Sequence, residues 1–358
     1  MVNNIYGTFV SQKINKIRWK PGNTTDSFIT GSWDDEQENK IVLWTYLRTD
    51  SEDALVKPKI KCSLEYDGDI TEIKFMNSSV FAVSSSTGTI NLYNISREDE
   101  KLQFKLLNSW KKIHTFNTDD LCPSTDISFF EDILISVGED GRIVLISTKD
   151  NEPYRIIENA DSCTIRCLSI NRLDEVLTGN SRGQMKVWDL RSYSNSPETS
   201  FTLSGGQVGF TRVTYHPTQT HIKLAGGEDG TITIWDLRNN KVAVNSLNAH
   251  SQSVTELMFH PDRPEHLFSC SANGQLWHWD SSKLTHPNIT QFSTSESACI
   301  LDETGCPWMS RNVKNRINVY SLIQNLHLPI NSLDVQQNSV LCGCDNEAIY
   351  LIRDFTIS

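Results

Sequence analysis

The chain has 358 residues, 38% of them hydrophobic and 22% charged, which is long enough and apolar enough to bury a large core and excludes global disorder. Its 33 Lys and Arg face 44 Asp and Glu, and the formal net charge of -11 argues against a protein whose main work is gripping phosphate backbone. No apolar run approaches the roughly 18 residues that a membrane helix needs.

The opening Met1-Val2-Asn3-Asn4 has neither the basic nor the apolar stretch of a secretory leader, so none is expected. Residues 5–12 then read as a lone strand. Behind it come triplets of short runs with period-two alternation, the pattern of a pleated strand. The first triplet is Ile14–Lys20, Phe28–Trp33 and Ile41–Tyr46, with the acidic loop Asp34–Glu38 inside it. The second is Ile70–Met76, Val80–Ser85 and Thr89–Ile95, followed by Arg97–Lys101, read as a charged linker. The third, fourth and fifth are Thr125–Phe130, Ile133–Gly138 and Arg142–Thr148; Thr164–Ile170, Glu175–Gly179 and Gln184–Leu190; Thr211–His216, Ile222–Gly226 and Thr231–Leu237. The sixth is Val254–His260, Leu267–Ser271 and Gln275–Asp280, for which Arg316–Leu322 is expected to supply an outer strand. The last is Asn331–Val335, Ser339–Gly343 and Ala348–Arg353.

The third run of each triplet follows a tight turn. Gly226-Gly227-Glu228-Asp229-Gly230-Thr231-Ile232-Thr233-Ile234-Trp235-Asp236 is the clearest copy: an Asp-Gly turn, then a strand ending in Trp-Asp, the signature of one WD40 blade. Aligning the other turns on it gives seven anchors, Trp44, Tyr93, Ile146, Trp188, Trp235, Trp279 and Ile352. The gaps between them are 49, 53, 42, 47, 44 and 73 residues. Blade repeats run about 40–45 residues, so the last gap is one interval carrying an insertion at about 281–314. The expectation is an all-β, seven-bladed WD40 propeller over residues 1–358 as a single domain. Its last blade lacks one strand, which residues 5–12 supply, closing the ring.

The chemistry-bearing residues argue for structure. The nine Cys are scattered, several inside strands (Cys62, Cys167, Cys270, Cys342, Cys344), and read as buried thiols of a reduced intracellular protein. Neither Cys342-Gly343-Cys344 nor Cys163 with Cys167 has zinc-ribbon spacing, so no metal is expected. There is no nucleophile elbow, phosphate loop or dinucleotide fingerprint, so neither a catalytic residue nor a cofactor is expected. His250 reads as a structural histidine bonded to Ser269 or Ser271, with Trp279 as the far partner. Asp140 and Asp229 read as turn carboxylates. Paired catalytic carboxylates are not expected to converge from separate blades. Trp188-Asp189-Leu190-Arg191 and Trp235-Asp236-Leu237-Arg238 each read Trp-Asp-x-Arg. That box is similar to the one by which some propellers dock onto the adaptor of cullin-type ubiquitin ligases, which would make Arg191 and Arg238 adaptor contacts. The bland alternative is Arg pairing with Asp at the end of a strand.

Longer stretches carry a more specific likeness. They are Ile5-Tyr6-Gly7-Thr8-Phe9-Val10-Ser11-Gln12-Lys13-Ile14 running into Arg18-Trp19-Lys20-Pro21, then Thr30-Gly31-Ser32-Trp33-Asp34 and Val137-Gly138-Glu139-Asp140-Gly141-Arg142-Ile143. Glu158-Asn159-Ala160-Asp161-Ser162, the two Trp-Asp-Leu-Arg ends, Phe259-His260-Pro261, Leu276-Trp277-His278-Trp279-Asp280 and Glu347-Ala348-Ile349-Tyr350 continue it. In these the chain resembles a family of WD-repeat nucleoporins from end to end. It departs from the family in the turn Ala272-Asn273-Gly274, in the loop after Trp33 and in the 281–314 insertion. The resemblance implies a non-enzymatic scaffold subunit of the Y-shaped outer-ring complex of the nuclear pore. It implies α-solenoid nucleoporins and a neighbouring propeller as partners, a nuclear-pore location, and kinetochore association in mitosis. Neither direct nucleic-acid binding nor membrane insertion is implied. Two other readings stand beside it: a ligase substrate receptor working through Arg191 and Arg238, and a propeller enzyme. The enzyme would need reactive groups converging in a central channel, which nothing in the sequence displays.

Overall fold

Strands that alternate apolar and polar residues and follow one another through short connections pair with their neighbours, and here they do so in groups of four. The computed structural model describes residues 4–22, 25–34, 38–46, 57–118, 120–170, 174–203, 208–238, 243–282, 307–309 and 317–353. After β1 (Asn4–Phe9), blade one is β2 (Ile14–Trp19), β3 (Ser27–Ser32), β4 (Lys40–Tyr46) and β5 (Pro58–Glu65). Blade two is β6 (Ile70–Phe75), β7 (Val80–Ser85), β8 (Ile90–Glu98) and β9 (Lys101–Trp110). Blade three is β10 (Ser124–Phe130), β11 (Ile133–Gly138), β12 (Ile143–Ser147) and β13 (Pro153–Ile157). Blade four is β14 (Ile165–Ile170), β15 (Glu175–Asn180), β16 (Gln184–Asp189) and β17 (Thr199–Thr202). Blade five is β18 (Phe210–Tyr215), β19 (Ile222–Gly227), β20 (Thr231–Asp236) and β21 (Asn245–Asn248). Blade six is β22 (Val254–Phe259), β23 (His266–Ser271), β24 (Leu276–Asp280) and β25 (Asn318–Ile323), and blade seven begins with β26 (Ile330–Gln336), β27 (Ser339–Cys344) and β28 (Ala348–Arg353). The fourth strand of blade seven is β1, antiparallel to β28 from Asn4 opposite Arg353 to Phe9 opposite Ala348. The fold is a seven-bladed propeller whose ring is closed by its N-terminal strand.

Two sequence expectations change. Arg97–Lys101 is not a linker: Arg97 and Glu98 end β8, Lys101 starts β9, and Asp99 and Glu100 form the turn with φ of 45° and 65°. Two left-handed residues in a two-residue loop match the twist of the flanking strands. The outer strands β5, β9, β13, β17 and β21 add a fourth member to blades for which three runs were read. The insertion at about 281–314 falls mainly on residues outside the description. Its described part, the 3-10 turn Pro307–Met309, seats Trp308 and Met309 in the core between blades five and six. There the Trp308 ring stands edge-on to Phe259 with centroids 5.7 Å apart. Among the described residues no helix is long and apolar enough to cross a membrane.

The turn glycines hold the repeat together for two reasons. Gly141 and Gly230 have φ of 72° and 84°, and a Cβ there would lie 2.4 Å from the Asp161 carbonyl oxygen and 2.3 Å from that of His250. Glycine meets both demands. Every inner strand also carries a bulge at the same place, between its first and third residues, as between Ile14 and Lys16 or between Val254 and Glu256. The bulged residue in several blades reaches the next blade. Asn15 Nδ2 donates to Ile70 O (2.6 Å), Thr125 Oγ1 to Ile165 O (2.6 Å) and Asn331 Nδ2 to Ile14 O (3.0 Å). Thr211 and Thr255 donate in the same way to the carbonyls of Val254 and Ile330.

Candidate functional site

The seven inner strands bring one residue each, the one after the bulge, to the ring axis: Lys16, Glu72, Asp126, Cys167, Arg212, Glu256 and Ser332. Arg18 and Asp334 follow two residues along their strands. These groups converge, which corrects the expectation that separate blades do not bring carboxylates together. They meet as ion pairs. Arg18 Nη2 lies 2.6 Å from Glu72 and 3.1 Å from Glu256, and Nη1 donates to Ser332 Oγ at 2.7 Å. Arg212 lies 3.1 Å from Glu256 and 3.7 Å from Glu72, and Lys16 lies 3.6 Å from Glu72 and 3.8 Å from Glu256.

Burial alone would drive the Glu72 and Glu256 carboxyls up. The cations outweigh it: Arg18 and its neighbours hold Glu72 far below the usual range, and Arg212 with Arg18 holds Glu256 down to about 2. Burial, then Arg212, lowers the Lys16 ammonium. Burial, then the Glu72 charge, raises Asp126. Burial pushes Asp334, whose Oδ2 accepts the Trp19 N–H at 2.6 Å, up to about 6 against the pull of Arg18. Each of these charges has an opposite charge within the network, so removing one partner would strand a buried charge. The network is occupied with itself: Lys16, Arg18 and Arg212 face Glu72, Glu256 and Asp126. At one mouth the channel opens into a cavity of about 420 Å³, lined by Lys16, Arg212 and bulge residues such as Thr125 and Asn331.

The blade anchors are buried, and the four tryptophans have a partner for the indole N–H. Trp44 donates to Thr30 Oγ1 (2.8 Å), Trp188 to Thr178 (3.1 Å), Trp235 to Thr233 (2.9 Å) and Trp279 to Ser269 (2.9 Å). Tyr93, Ile146 and Ile352 fill the same place in their blades. His250 Nε2 lies 2.8 Å from Ser269 Oγ, so His250, Ser269 and Trp279 form one chain of hydrogen bonds. Burial lowers the His250 imidazole to about 4. A second network was missed in the sequence: His114 joins Ser136 Oγ at 2.8 Å and Asp140 at 2.9 Å. The available signal was position, since His114 precedes blade three as His250 precedes blade six. Asp229 accepts the Thr231 N–H at 3.0 Å. In the departing turn, Asn273 Oδ1 accepts the Gln275 N–H at 3.1 Å, so the amide does a carboxylate's turn work.

At the rim, Arg191 Nε lies 3.0 Å from Asp189 and Arg238 Nη2 lies 2.8 Å from Asp236, each pairing with the residue two positions back. Their side chains remain 69% and 46% exposed. Cys62, Cys163, Cys167, Cys342 and Cys344 carry free thiols, and burial raises Cys62 to about 11. Among the described residues no cluster of His, Cys, Asp or Glu could hold a metal ion.

Residues 4–279 match the family model described as the EIPR1 beta-propeller. The chain is 36% identical to human Nucleoporin Nup43 over 98% of both chains, and equally so to the mouse protein. It is 25% identical to the Nuclear pore complex protein nup43 of Dictyostelium discoideum, over 60% of this chain and 49% of that one.

Proposed function

The chain belongs to the Nup43 nucleoporins and, by its propeller, to the EIPR1 beta-propeller family, and on that premise we propose that it is a non-enzymatic scaffold subunit of the nuclear pore outer ring. The observation that carries this reading is 36% identity over 98% of both chains, which leaves no blade unmatched. Its partners are the α-solenoid nucleoporins and a neighbouring propeller of the Y-shaped complex, held by the faces and perimeter of a single rigid domain. Its sites are the nuclear pore and, in mitosis, the kinetochore. The non-enzymatic reading is supported by the channel, where Lys16, Arg18 and Arg212 pair with Glu72 and Glu256. The net charge of -11 speaks against nucleic acid as a direct partner.

The test is affinity purification of the tagged chain from nuclease-treated extract, with partner stoichiometry measured. Near-equal recovery of outer-ring nucleoporins is expected; their absence would overturn the reading. Imaging of the tagged chain in mitotic cells, with signal expected on kinetochores, tests the second location. The exposure of Arg191 and Arg238 favours one alternative, docking to a ligase adaptor. Changing both to Ala should abolish adaptor capture if that holds, and an adaptor captured as before would rule it out.

A further inference from the structure

The outer strands β5 and β9 of blades one and two run close together, and along them lies a wedge-shaped groove of about 590 Å³. That volume is within the range of ligand-sized clefts, about 300–1,000 Å³. Cys62 and Leu64 of β5 form one wall, and Leu102 and Phe104 of β9 the other. All four pack only partly against the core between these blades, so the floor is apolar and unfinished. Phe104 is fixed by its edge-on contact with Phe81, centroids 5.3 Å apart. The wedge is therefore built on rigid strands. β9 is the longest described strand at 10 residues, and Ile60 of β5 and Leu106 of β9 are 58% and 51% exposed.

The rim of the wedge has the charge opposite to that of the chain as a whole. Lys61, Arg97 and Lys101 line it against one carboxylate, Glu100, on a protein of net charge -11. These three cations form no ion pair with a described residue, whereas the cations of the channel are all paired. An apolar cleft with unneutralised cations at its edge is complementary to an extended segment that alternates apolar and acidic residues. The apolar side chains lie against the half-buried Leu64, Leu102 and Phe104, and the carboxylates meet Lys61, Arg97 and Lys101. A strand rises about 3.3 Å per residue, so a wedge the length of β5 accommodates roughly six to eight residues.

We propose that the wedge between β5 and β9 is a docking site for an extended acidic-apolar peptide segment of a partner protein. The inference deepens the scaffold reading and rests on it for the existence of such a partner. The probe is a fluorescein-labelled octapeptide alternating Leu with Glu, titrated with the full chain in anisotropy measurements. A second octapeptide with Lys in place of Glu is the charge control. Expected are micromolar binding of the acidic probe, no binding of the basic one, and amide protection from exchange over residues 58–65 and 101–110. The double variant Lys61→Glu, Lys101→Glu, both surface changes, should weaken binding at least tenfold with an unchanged melting temperature. No binding, binding indifferent to the double variant, or protection elsewhere would overturn the proposal. Preference for anionic vesicles or RNA over the acidic peptide would do so as well. Outer-ring recovery by the unmodified chain is scored separately, so a failed scaffold reading and a failed wedge give different results.

Discussion

Arg18 in the channel and Arg191 on the rim make the same kind of contact with opposite consequences. Arg18 reaches Glu72 and Glu256, from blades two and six, with a side chain 6% exposed. Arg191 reaches Asp189, two residues back on its own strand, with a side chain 69% exposed. The first pair ties together distant parts of the ring where water cannot replace either partner. The second shapes a strand end where water and salt compete for both. Burial, rather than distance, separates a charge that holds the fold from one left available to a partner.

The most severe way to break this comparison is to open the ring. Deleting residues 1–12 bares the β28 edge and removes the neighbours that hold blade seven against blade one. Loss of the cooperative melt, or aggregation, is expected in thermal scans. A deletion that melts at the temperature of the intact chain would mean that closure does not hold the channel. Next in size is Glu72→Gln, which leaves Arg18 and Arg212 short of a buried counter-charge and should cost about 3–5 kcal/mol in urea unfolding. Combining it with Arg18→Met should recover part of that loss, and a strictly additive pair would contradict the network.

Acid sharpens the comparison by separating two windows. His216, His250 and His278 are lowered by burial to about 4, from an ordinary value of 6.5. The unfolded chain therefore takes up protons first, and stability falls as pH drops from 6.5 toward 4. Glu256, held at about 2 against an ordinary 4.5, contributes stability that is whole above 4.5 and is lost as pH falls toward 2. Denaturant midpoints followed against pH should show the histidine decline first, and His250→Gln should make it shallower. Smallest of all is Arg191→Ala with Arg238→Ala, which should leave the melting temperature unchanged at physiological salt; a clear drop would place the rim boxes with the channel.

The blades were legible because their second and third strands are apolar and five of the seven turns, all but those at Asn39 and Glu347, carry Gly at the same offset. Outer strands such as Thr199–Thr202 and Asn245–Asn248 are four residues long, polar and half-exposed, and carry almost no periodic signal. The channel was hidden for another reason. Each inner strand carries its bulge just before the axial residue, so strict alternation assigns Lys16 to the face of Ile14 and Glu256 to that of Val254. Aligning the blades on the first inner residue instead would have put Lys16, Glu72, Asp126, Arg212 and Glu256 in one column. The His250 network was readable from its three residue types. The Arg97–Lys101 hairpin was not, since its charges resemble a linker and only the left-handed turn distinguishes them.

The hydrogen bonds from bulged residues to the next blade do not go all the way round. Thr71 of blade two turns instead to Ser84 of its own blade (2.8 Å), and Arg166 of blade four pairs with Glu228 of blade five. The circle is therefore two arcs, blades three and four and blades five through two, each stitched internally. They meet at one seam without such a stitch and at another closed by a surface ion pair. Salt screens only the second. Concentrated salt therefore loosens the join between blades four and five and leaves the join between blades two and three as it was, so the circle is sensitive to ionic strength at one place only.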